Sequence, residues 1–299
     1  MTVRTRNQLI TSFILAGPFV FLLCLLLFWD AEPLPPVPPL PHPNGYENLV
    51  KAGNMVSNDF ADYDELTSAK LRELINKDAS TFQTARTGLQ QECRVTLDYS
   101  VTSSAHLDQL AALKRLAYAF VAEGRLAEME KRPADAAKSY LDTIRLGNAS
   151  ARGGILIDQL VGTAIESIGV GNLQKLIDQL DAKACRETAA TLETLDSQRQ
   201  TWNAVMQQER DWSRRAFPGI RNEIGRIAMR RTLQTAIQTA QEKFNAQIEN
   251  KRQLIIEFAV RAYQLDKGHR PGNINDLVPV YLKAFPQDPF TGTNMVYSP

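Results

Sequence analysis

The stretch GGILIDQLVGTAIESIGV, residues 153–170, sets two carboxylates among apolar side chains. Gly154, Asp158, Gly162 and Glu166 recur every four residues, so in a helix they share one face. Most of the surface around them is apolar, which predicts a helix buried on more than one side. Carboxylates there need partners or must stay protonated. Arg145, Arg152, Arg210 and Arg214 are the candidate partners. Two readings follow. In one, Asp158 and Glu166 form a polar cluster that binds a ligand or hydrolyses a substrate. In the other they are buried ion pairs that fix helix register, a role that adds little stability of its own. Eight residues of helix separate their Cα atoms by about 12 Å, long for two carboxylates acting on one bond. The glycines on the same line allow a second helix to approach closely.

Other chemistry is sparse. The chain holds no G-x-S-x-G, no phosphate-cradling glycine loop and no HExxH, so no catalytic residue is assigned. Its histidines, His42, His106 and His269, are scattered, and no CxxC or Cys/His metal spacing occurs, so neither a metal nor a cofactor is expected. With 34 basic and 33 acidic residues the chain lacks the basic surface that nucleic-acid binding requires.

Location is more legible than chemistry. Leu9 to Trp29 reads LITSFILAGPFVFLLCLLLFW, about 21 uncharged residues and about 31 Å of helix, enough to cross the hydrocarbon core. Gly17 and Pro18 are tolerated in a membrane helix, and Phe28 and Trp29 fall where an interfacial aromatic belt belongs. The run is too long for a signal-peptide core and no small-residue cleavage site follows it, which predicts an uncleaved anchor. Arg4 and Arg6 precede it; Asp30 and Glu32 follow. The positive-inside rule then puts residues 1–8 in the cytoplasm and the main domain outside. An extracytoplasmic setting permits disulfides, making Cys93 and Cys185 a candidate pair; two buried thiols are the alternative. Cys24 lies inside the apolar run.

Residues 30–44 form a proline-rich linker. AEPLPPVPPLPHP favours an extended polyproline helix, a stalk reaching about 40 Å at about 3.1 Å per residue, and it also has the form of a PxxP ligand. From Gly45 onward helical periodicity dominates, predicting a mainly α protein with a helical domain over 45–240 and a long-helix end plus tail over 241–299. Expected helices cover 45–60, 64–76, 80–92, 104–131, 133–146, 154–180, 182–211 and 221–264. Gly147-Asn148 reads as a helix stop, and 93–104 as a loop.

Three resemblances attach to particular stretches. AEMEKRPADAAKSYLDTIRLG resembles the second half of a tetratricopeptide (TPR) hairpin, with Ala136 and Tyr140 in the small and aromatic positions; no second copy appears at the repeat period, so this is one TPR-like hairpin. The ending pairs a helix stop at Gly268 and Pro271 with Asp276-Leu277-Val278-Pro279, Tyr281-Leu282, Pro286-x-Asp288-Pro289-Phe290, Gly292 and Tyr297. It resembles the segment that follows the long helix of type II secretion pseudopilins. That resemblance implies a closing strand over Asn294 to Tyr297, and Asp288 is the one residue that carries over from the family's calcium loop. A pilin's processing site and its glutamate in the span are absent. Finally, Glu92-Cys93-Arg94, AEGRLAEME, RLGNASARGGILIDQLVGTAIE and DPFTG together resemble uncharacterised membrane-anchored helical proteins of planctomycete bacteria. That resemblance implies the same architecture and brings no activity.

These observations point to a membrane-anchored, single-pass, extracytoplasmic helical scaffold that binds another protein, an envelope or secretion accessory component. A hydrolase or ligand-binding site around Asp158 and Glu166 is the alternative.

Overall fold

Short polar residues mark where helices begin, because their side chains satisfy backbone N–H groups that the first turn leaves open. Asn44 caps α1 (Gly45–Met55) through Tyr46 N–H, Thr67 caps α2 (Ser68–Lys77), and Asp78 separates α2 from α3 (Ala79–Leu89). The long α4 (Ala105–Met129) turns through Lys131, which takes positive φ, into α5 (Pro133–Ala151), where Pro133 needs no N–H partner. Then follow α6 (Leu156–Gln174), α7 (Ala182–Ser197) capped by Asp181, α8 (Trp202–Ala216) capped by Thr201, and α9 (Gln234–Lys267). The computed structural model describes residues 34–99, 104–218, 232 and 234–296. Among these the protein is mainly α-helical and carries no strand, only an isolated antiparallel bridge between Gln287 and Asn294. The apolar run from Leu9 to Trp29 lies outside the described residues, and no described helix is long and apolar enough to cross a membrane.

Two apolar cores flank the pair α5–α6. One gathers α1 to α4, with Tyr46, Leu49, Leu71, Leu113 and Phe120 fully buried. The other joins α5, α6, α7 and α9 to the C-terminal tail, so Leu277, Tyr281, Leu282 and Met295 share a core with Leu254, Phe258 and Leu192. The boundary expected at residue 240 therefore falls inside α9, whose far half and tail pack in the same core as the preceding helices.

Several expectations need correction. Gly147 and Asn148 do not end α5, which continues to Ala151. Gly147 is an interior packing residue: a Cβ there would lie 2.6 Å from the Gly162 carbonyl oxygen and 2.6 Å from Glu166 Cγ. Asn148 turns its amide to the Leu195 carbonyl at 3.0 Å, binding α5 to α7. The helix expected over 182–211 breaks at Gln198–Thr201. There the Gln200 amide oxygen accepts Gly153 N–H at 2.9 Å and Arg199 turns inward to Glu166.

The closing strand is reduced to the single bridge. Asp288 instead folds the chain into a tight turn, its carboxylate accepting from Phe290 N–H at 2.7 Å, with Gly292 at positive φ; Tyr297 lies outside the described residues. The proline-rich segment does not stand free along its described length. Arg215 donates to the Pro35 carbonyl, and Val37, Pro38 and Leu40 wall a groove with Leu97 and Tyr99. Cys93 and Cys185 are free thiols buried in different cores, so the candidate disulfide is not formed. Burial pushes each thiol up to about 11.

Candidate functional site

The glycine–carboxylate line of α6 is its buried face. Asp158, Gly162, Glu166, Gly169 and Leu173 all face inward, while Ile157 and Ala164 on the far side are exposed and Leu160 and Ile168 are half-buried. Expected burial on several sides thus resolves into one sealed polar line, made possible by a glycine-to-glycine crossing of α5 and α6. Gly169 extends the line, since a Cβ there would meet Ile144 and the Tyr140 carbonyl oxygen.

The structure does not bring Asp158 and Glu166 to one centre. Each has its own partners. Asp158 closes the first turn of α6, its Oδ2 accepting Ile155 N–H at 2.8 Å, as an N-terminal carboxylate should. Its Oδ1 stands 2.8 Å from Nε2 of His106, in the first turn of α4. Gln109 supports the histidine and in turn accepts from the Tyr46 hydroxyl at 3.4 Å. From α8, Glu209 accepts Leu156 N–H at 2.8 Å; burial is the main cause that raises its pKa, with the Asp158 charge adding to it.

Pairing with Asp158 holds His106 above its ordinary value, against the opposing effect of burial, and Gln109 and Asp98 act in the same direction. A histidine raised on folding stabilises fully below about pH 6.5, and that contribution is lost as pH climbs through its folded value. His106→Gln should therefore lower the urea midpoint more at pH 5.5 than at pH 8.5. An equal loss at both values would show that the pair contributes nothing through its charge.

Glu166 belongs to a second group. Arg199, delivered by the break between α7 and α8, contacts Glu166, and both side chains are almost wholly buried. Lys251 of α9 is fully buried, with Nζ 3.3 Å from Asp196 Oδ1 and 3.9 Å from Glu166 Oε2. Arg252 donates to Asp196 Oδ2 at 2.7 Å and to the Gln287 carbonyl at 2.6 Å. The Arg199 guanidinium also lies over the Phe244 ring, 5.4 Å from its centroid. Burial lowers the pKa of Lys251, and Glu166 opposes that shift.

Of the arginines expected to pair with these carboxylates, Arg145 turns instead to Asp142 and Arg210 to Gln207. Sequence reasoning missed His106, Asp196, Arg199 and Lys251. Lys251 had a signal: Phe244, Ile248, Leu254, Ile255 and Phe258 line the buried face of α9, and Lys251 sits within their stripe.

Besides the groove at Val37, Pro38 and Leu40, the described residues form further surface grooves. Two adjoin along α2, α3, α4 and α5, with volumes of about 500 and 560 Å³, and their charges are paired internally: Arg72 with Glu130, Arg86 with Glu123 and Asp142, Arg132 with Glu130 and Asp135. Another, about 460 Å³, runs from the end of α3 along α5 to α7 and the tail. Among the described residues no three His, Cys, Asp or Glu side chains converge as a metal site, and Asp288 is engaged in its own turn, whose backbone N–H groups hold its carboxyl below the usual range.

The fold defines a mainly α-helical protein. No protein-family model matches the chain, and no curated protein or solved structure matches it either.

Proposed function

We propose that the protein is a membrane-anchored, extracytoplasmic helical scaffold that binds another protein, acting as an accessory component of an envelope or secretion assembly. The observation that carries this reading is the fate of the two carboxylates. Asp158 and Glu166 are 0 % and 1 % exposed and each is engaged by the fold, whereas the concave surfaces open to solvent run along the helix faces of α2 to α5 and α7. The TPR-like α4–α5 hairpin supports the same reading.

The anchor is tested by deletion. Removing Leu9 to Trp29 should shift the protein from the membrane pellet to the soluble fraction, and a protease added to spheroplasts should digest the domain of the intact chain. Retention in the pellet without that segment, or full protection, would remove the anchor or its orientation from the proposal. Partner binding is tested by cross-linking and pull-down from detergent-solubilised native membranes. Recovery of no specific protein would count against the scaffold.

A second reading keeps the polar cluster as a ligand-binding or hydrolytic site. Its support is the His106–Asp158 contact, because His106 retains some exposure and a histidine oriented by a carboxylate is the usual form of a general base.

A further inference from the structure

We infer that the groove between the end of α3, α5 and α7 is the docking site of an acidic, extended peptide segment of the partner, an assignment that rests on the scaffold reading above. Among the described residues its lining carries three cations, Arg145, Arg152 and Lys283, and no carboxylate. The contrast with its neighbours decides the matter. In the grooves along α2 to α5 the basic side chains meet acids of the same fold, so those surfaces are already neutralised. Here Arg145 has Asp142, but among the described residues Arg152 and Lys283 make no ion pair within 4 Å. Glu193, whose carboxylate also feels the Lys283 charge, is taken up by backbone, accepting the N–H of Lys283 at 2.9 Å and that of Ala284.

The geometry favours a chain over a small anion. Arg152, which directly follows α5, stands about two turns and about 10 Å past Arg145, which matches one three-residue turn of polyproline-type chain at about 3.1 Å per residue, whose every third side chain shares a face. Thr194 and Gln198 offer groups for backbone hydrogen bonds, and Leu195 supplies apolar floor. Arg152 also lines the adjoining groove, which Val37, Pro38 and Leu40 of this same chain help to wall, so the inferred site continues that groove past Arg152.

The test uses the full chain in detergent micelles and a fluorescein-labelled 12-residue peptide with Glu at every third position, beside its Gln counterpart. The Glu peptide should bind and the Gln peptide should not. The double charge reversal R152E/K283E, both positions exposed, should weaken binding at least about tenfold with an unchanged thermal melt. K138E, in a neutralised groove, should leave it unaltered. Equal binding of both peptides, wild-type affinity in the double variant, or complete displacement by a few millimolar inorganic phosphate would each overturn the assignment. Failure of the scaffold reading looks different: the wild-type chain captures no partner from native membranes. If R152E/K283E captures the partner as well as wild type does, the groove assignment fails while the scaffold stands.

Discussion

Gly162→Ala is expected to lower stability by about 3 kcal/mol, an unusually large effect for adding one methyl group. The new Cβ would stand 2.5 Å from the Gly147 carbonyl oxygen and 2.8 Å from the Ala151 Cβ. The first of these is backbone in a helix interior and cannot rotate away. Relief requires α5 and α6 to separate along the most extensive helix–helix contact in the fold. Separation would also strip dispersion contacts from both flanking cores and draw Glu166 away from Arg199. Intrinsic propensity runs the other way, since alanine is favoured over glycine in a helix by up to about 1 kcal/mol, and it is too small to compensate. Gly171→Ala, about two and a half turns further along α6, supplies the control. Nothing lies within 4 Å of a Cβ there, so propensity acts alone and stability should rise by up to about 1 kcal/mol. Denaturant midpoints of the two variants should therefore move in opposite directions. A Gly162→Ala midpoint at or above wild type would mean that the crossing is loose.

This crossing shows how far the sequence could be read. The four-residue recurrence of Asp158, Gly162 and Glu166 is enough to predict a shared face and a close helix contact, because helical periodicity is a local property; Gly154, expected on the same face, lies ahead of α6, which begins at Leu156. The facing glycine was misread. Gly147 followed by Asn148 has the local signature of a helix end, and only the presence of Gly162 across the interface explains why it lies mid-helix. The partners of the carboxylates were hidden for the same reason. His106 comes from 52 positions before Asp158 and Lys251 from 85 positions after Glu166, and no local pattern pairs them. The break at Gln198–Thr201, inside a stretch with strong helical character, exists because Thr201 caps a new helix and because Arg199 is required inside. The cysteine pair depended on compartment alone, and placement in separate cores decides against it.

The ion cluster around Glu166 yields an asymmetric pair of outcomes. Glu166→Gln should cost about 3–5 kcal/mol, whereas Lys251→Met should change stability by no more than about 1 kcal/mol. The cluster contains two carboxylates, Glu166 and Asp196, and three cations, Arg199, Lys251 and Arg252. Removing Glu166 leaves Arg199 buried without its carboxylate, and Asp196 facing three cations alone. Removing the Lys251 charge leaves Glu166 with Arg199 and Asp196 with Arg252, each pair neutral, and methionine fills a similar volume. Lys251 is the cation whose burial opposes its charge, which fixes the sign of a pH effect. Its folded pKa lies below the unfolded value near 10.5, so between those values the unfolded chain binds more protons and stability rises with pH. The cost of keeping Lys251 charged is thus fully present below its folded pKa and is relieved as pH climbs toward 10.5. Stability measured for wild type relative to Lys251→Met should accordingly improve on going from pH 7 to pH 10, a difference that cancels the titrations the two proteins share. Equal losses in Glu166→Gln and Lys251→Met at pH 7, with no change in their ratio at pH 10, would instead make the lysine an indispensable partner of Glu166 and Asp196.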